Sequence, residues 1–147
     1  MLTLKLLREN PEFVIAKLAV KNFDAREIVE KINVLDQNRR ALQTELDACL
    51  AEQKKKAAQI GGLMKEGKRE EADAVKAEVA ALKTRSGEIE KTSEENNSEL
   101  NSLLVLLPNL PCDQVPEGKT AEDNVVVKMG NEIPELGENN LPHWDLA

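Results

Sequence analysis

The sequence predicts an all-α fold: a long antiparallel two-helix coiled-coil hairpin with a small helical base and an extended carboxyl-terminal connector that includes a short strand. Three observations carry this prediction. An outgoing limb shows 4,3 spacing through Ile28, Ile32, Leu35, Arg39, Leu42, Leu46, Cys49, Gln53, Lys56, Ile60 and Leu63, and only three of these eleven positions are polar. A returning limb repeats the pattern through Val75, Val79, Leu82, Ser86, Ile89, Ser93, Asn96, Leu100, Leu103 and Leu107, with Glu66-Gly67-Lys68 between the two. Composition agrees: 32% of residues are charged and 2% aromatic, with no Tyr, which suits a solvent-bathed helical structure and not a sandwich or a deep pocket.

In chain order, residues 1–23 form the base. Met1 to Leu7 fits a short strand or a helical turn, with helix preferred. Asn10-Pro11 then marks a helix start, because Asn caps well and Pro at the first position loses no intrahelical N–H bond. The helix from Pro11 to Val20 presents Val14 and Leu18 on one face, with Phe13 and Val20 nearby. Residues 24–107 are the arm, opened by a capping-box-like Asp24 and Glu27. Gly61 and Gly62 read as a local bend or frayed turns, with a hinge as the alternative, and each costs about 1 kcal/mol relative to Ala. Glu70, Glu71 and Asp73 suit the start of the second limb, which stops before Pro108. Residues 108–147 are a connector rich in Pro, Gly, Asn and Asp, with one β-like run, Asn124 to Lys128, read as an edge strand.

Register decides where the arm turns. Reversal at Gly67 makes facing residue numbers sum to about 134 and sets Leu100, Leu103, Leu104 and Leu107 against Ile28, Ile32 and Leu35. Reversal at Gly61-Gly62 would leave that cluster facing the segment before Asp24, where no long helix continues. The tip is therefore placed at Gly67. The same register sets Arg39 and Arg40 opposite Glu94 and Glu95. At roughly 1.5 Å per residue each limb projects about 60 Å, too long and thin to enclose an active site.

Several classes are disfavoured. Cys49 in mid-arm and Cys112 beyond its base lie about 40 Å apart by the helical rise, so no disulfide joins them and a reducing cytoplasm is expected. Cys49 reads as a small core residue. One histidine and no clustered cysteines give no zinc pattern, and His143 beside Trp144 reads as a packing pair. Lys5, Arg8 and Glu9 spoil a signal-peptide core. The longest apolar run, Leu103 to Leu107, is too short to cross a bilayer. No phosphate-cradling glycine loop or nucleophile elbow is present, so no catalytic residues are assigned.

The informative feature is the distal arm. Although the net charge is −7, residues 54–85 carry nine basic and five acidic groups. Arg69, Lys76 and Lys83 are seven apart and form one stripe beside the seam, while Lys54 and Lys55 lie at the same height on the other limb. These five are the leading phosphate-contact candidates, with Arg40, Lys68 and Arg85 behind them. With few aromatics for base stacking, contact would be to backbone and shape. The alternative is a non-catalytic coiled-coil spacer or protein-interaction arm with a solvated charged face.

The ordered segments Asn109-Leu110-Pro111, Val115-Pro116-Glu117-Gly118-Lys119, Glu122-Asp123-Asn124-Val125 and His143-Trp144-Asp145-Leu146 follow the Asn-Pro helix and the long hairpin, in which Leu42-Gln43-Thr44-Glu45 follows Arg39-Arg40. In this order and over essentially the whole chain, the sequence resembles the amino-terminal region of bacterial seryl-tRNA synthetases. The resemblance implies that the hairpin is a tRNA-binding arm gripping the long variable stem and elbow of serine tRNA. It also implies a cytoplasmic, homodimeric enzyme whose class II core, using serine, ATP and magnesium, follows the carboxyl end. No cofactor is expected on this segment. Two departures fall in the connector: Val126-Val127-Lys128-Met129-Gly130 lacks a Trp often found before that glycine, and Cys112-Asp113-Gln114 replaces a commoner His-containing version.

Overall fold

A computed structural model describes residues 2–130, 132, 141, 144 and 145. Four α-helices follow one another: α1 (Leu4–Glu9), α2 (Pro11–Ala19), α3 (Arg26–Lys65) and α4 (Arg69–Leu106), with one 3-10 turn at Ala121–Asp123. Helices α3 and α4, of 40 and 38 residues, pack against each other as an antiparallel hairpin.

The seam is visible in the burial pattern. From residue 37 to the end of α3, the only positions shielded from solvent are 39, 42, 46, 49, 53, 56, 60 and 63, the 4,3 positions of the sequence. In α4 they are flanked by Ala72, fully buried near the tip, and by Leu100 at the base. Facing residue numbers sum to 130 at Glu45 and Arg85, 131 at Cys49 and Leu82 and at Leu35 and Asn96, and 134 at Lys56 and Glu78.

Both sharp reversals of the chain use one device. At the tip, Lys68 N–H donates to Leu63 O (3.0 Å) and Gly67 N–H to Met64 O (3.3 Å), with Gly67 at φ +77°. Between α2 and α3, Phe23 N–H donates to Leu18 O (3.2 Å) and Asn22 N–H to Ala19 O (2.8 Å), with Asn22 at φ 56°. These paired bonds are Schellman closures, in which a left-handed residue lets the last carbonyls of a helix find donors. A Cβ at Gly67 would meet nothing within 4 Å, so Gly67→Ala tests backbone strain alone. It should lower stability by about 1–2 kcal/mol in urea denaturation while leaving helical circular dichroism unchanged.

The base is where the core is widest. Leu7, Val14, Leu18, Ala25, Val29, Ile32, Leu100 and Leu107 are buried together, with Phe23, Ile28, Leu35 and Leu103 partly buried against them. Phe13 instead faces outward, about half exposed, with Lys17 Nζ 5.9 Å from its ring centre. Thr3 caps α1 through a bond from Leu6 N–H (3.3 Å). Asn10 occupies the cap of α2 without a side-chain bond, and Pro11 takes the first position.

Three local expectations are corrected. Helix α3 begins one residue later than a capping box at Asp24 requires: Ala25 is the cap residue, and the Asp24 carboxylate accepts only from Arg26 N–H (3.2 Å). Arg39 and Arg40 do not reach Glu94 and Glu95, which stay exposed; both turn to Asp36 on their own helix, one turn away. Asn124 to Lys128 is not a strand, since no segment among the described residues pairs with it, and Val125, Val126 and Val127 are 66–80% exposed. The connector does begin by folding back on α2, where Lys17 pairs with Asp113 and Lys21 donates to Asn109 O (3.2 Å). The proposed His143–Trp144 pair involves His143, which lies outside the described residues.

Candidate nucleic-acid interface

Each candidate cation is positioned by its place relative to the seam, and all eight are exposed. They divide by what holds them. Arg40 Nε lies 3.3 Å from Asp36 Oδ2, Lys68 Nζ 2.9 Å from Glu66, Lys76 Nζ 2.7 Å from Asp73, and Arg85 Nη2 2.5 Å from Glu45 across the hairpin. Lys54, Lys55, Arg69 and Lys83 form no ion pair within the described residues. The hydrogen bond and charge of Glu45 hold the Arg85 guanidinium above its ordinary value, and both side chains of this pair are exposed. The seam residue Lys56 behaves similarly, pushed up by its hydrogen bond to Glu78, with Glu52 adding to the effect.

The structure therefore does not bring all eight cations to one place. Arg40 sits at the base and Lys68 at the turn, while the rest lie along the distal arm. Sequence reasoning missed the most constrained charge of all, Asp36. Its side chain is 1% exposed and its carboxylate accepts from Arg8 Nη1 (3.1 Å) of α1 and from Arg39 Nη2 (2.9 Å), while Arg40 Nε, 3.3 Å from Oδ2, donates to the Asp36 backbone carbonyl. Burial alone pushes this carboxyl up. The hydrogen bonds from Arg39 and Arg8 and the charges of Arg39 and Arg40 outweigh it, leaving the group below the ordinary aspartate range. Arg39 and Arg40 at i+3 and i+4 were a readable signal for this cluster, but Arg8 arrives through the docking of α1. Asn96 closes the adjacent polar gap by donating to Leu35 O (3.0 Å).

Fold and surface together define a helical-hairpin module whose distal half bears solvent-exposed cations and whose base is a small helical core. The chain belongs to the seryl-tRNA synthetase N-terminal domain family, whose model matches residues 1–111. Over its full length it is 36% identical to a serine–tRNA ligase of Akkermansia muciniphila, 35% to one of Cyanothece sp. and 34% to one of Rhizobium etli. It covers 34%, 35% and 34% of these relatives, so the chain spans about one third of their length. No helix among the described residues is long and apolar enough to cross a membrane.

Proposed function

We propose that this chain is the tRNA-gripping part of a cytoplasmic serine–tRNA ligase, holding the long variable arm and elbow of serine tRNA through backbone and shape. The observation that carries the reading is the set of exposed cations on the distal arm that form no ion pair among the described residues, in a chain of net acidic charge and a member of this family. Local field, not total charge, governs attraction of a polyanion. In the complete enzyme, working as a homodimer, the arm would present the acceptor end to a catalytic core. The complete enzyme would also use ATP and magnesium. Their place would be in the remaining length of the protein.

A gel shift comparing serine tRNA with a tRNA lacking a long variable stem tests this. Tighter binding of serine tRNA is expected. Equal binding would mean a nonspecific polyanion site, and no binding at low salt would favour the protein-interaction reading.

A further inference from the structure

The seam of a two-helix hairpin divides its surface into two long flanks, and here they differ in chemistry. One flank is identified by its cross-helix pairs, Arg85 with Glu45 and Lys56 with Glu78. Shallow grooves on it are lined by Glu45, Ala48, Glu52, Glu78, Ala81 and Arg85, and by Lys55 with Gln59. Glu66 and Glu71 continue this flank toward the tip by the helical repeat. Its cations are outnumbered by carboxylates, and two of the three, Lys56 and Arg85, already face carboxylates across the hairpin.

The opposite flank has another composition. Helix α3 contributes Leu50, Ala57 and Met64, seven residues apart, and α4 contributes Arg69, Lys76 and Lys83, also seven apart. The observed register sets Leu50 level with Lys83, Ala57 with Lys76, and Met64 with Arg69. Lys54 stands on the same side, one turn from Leu50. Leu50 is 42% and Met64 49% exposed, so neither is absorbed into the seam. Lys54, Arg69 and Lys83 make no ion pair among the described residues. Lys76 holds only Asp73 on its own helix, an exposed pair of the kind worth about 0–1 kcal/mol that a phosphate can displace.

We propose that this flank alone is the polynucleotide-contacting face of the arm, and that the Glu45–Arg85 flank is turned away from the ligand. The inference rests on the tRNA-binding reading above. Charge complementarity selects the occupant: steps of about 10.5 Å between cations form a ladder for phosphates, and Leu50 and Met64 beside them meet the apolar edges of the riboses. Lys55 and Arg85 consequently drop out of the candidate set, while Lys54, Arg69, Lys76 and Lys83 remain. Binding then has two parts: a salt-dependent one from the cations, and a salt-independent one from the apolar residues.

The test titrates serine tRNA against the full-length protein over a range of salt, with circular dichroism confirming that each variant is folded. Combining Lys54→Gln, Arg69→Gln and Lys83→Gln should reduce the slope of log affinity against log salt by about 2–2.7, at roughly 0.7–0.9 per lost phosphate contact. Lys55→Gln with Arg85→Gln should leave the slope unchanged. Leu50→Ser with Met64→Ser should weaken binding by a similar factor at every salt concentration without moving the slope. If the Lys55/Arg85 pair lowers the slope per charge as much as the triple variant, the assignment of flanks is overturned. If the wild-type protein itself shows no salt-dependent binding to the tRNA, the tRNA-binding reading fails, and the inference with it.

Discussion

Ile32→Ala is expected to lower the unfolding free energy of this chain by about 2–5 kcal/mol, read from urea denaturation. Ile32 is fully buried at the level where α3 meets α4 and where the base helices dock, so its deletion leaves a cavity surrounded on several sides. The same change near the tip should cost much less. Ile60 is only partly buried, and Ile60→Ala should cost less than about 2 kcal/mol. Equal losses at the two sites would contradict a structure whose core lies at the base.

Asp36→Ala is the second large effect, an expected loss of about 1–3 kcal/mol at neutral pH, since it leaves the Arg8 and Arg39 guanidinium groups without their shared acceptor and removes the charge beside Arg40. The pH dependence follows from the direction of the shift. Asp36 is more acidic folded than unfolded, so the folded state binds fewer protons there. Its contribution is fully present above the unfolded aspartate value of about 4, and it is lost as pH falls through the lower folded value. Asp113, lowered by its hydrogen bond and charge pairing with Lys17, and Asp123, lowered by backbone bonds from Thr120 and Lys119, titrate in the same acid window. The measurement is therefore a difference: melting temperature against pH for wild type and for Asp36→Asn. The gap between the two should be widest near neutrality and should shrink below about pH 4. A gap that stays constant to low pH would show that the Asp36 charge does not hold α1 on the arm.

Much of this molecule could be read from local pattern. The 4,3 repeat named many shielded positions of both long helices, including polar ones such as Arg39, Gln53 and Ser86 but not Val29, Asp36 or Ala72, because a side chain's angular place on a helix depends on its number. Gly67 was legible through the register of the two seams, and the left-handed conformation that closes the helix there is one glycine adopts readily. The equivalent closure at Asn22 was not read, because Asn is compatible with ordinary backbone and announces nothing alone. The Asn124–Lys128 run shows the opposite error. Its alternation is real, but a strand is a relation between two segments, and no second one among the described residues pairs with it.

The sequence by itself determined the hairpin, its seam and the concentration of positive charge in the distal arm, all of which follow from residue order along one helix. Only the tertiary structure decided which charges already have a carboxylate partner. Arg85 is tied to Glu45, forty residues away, and Arg8 reaches Asp36 from another helix. Lys54, Arg69 and Lys83 form no ion pair among the described residues. An ion pair requires two groups within a few ångströms, and across a hairpin that distance is set by register and docking, to which neither limb's composition is a guide.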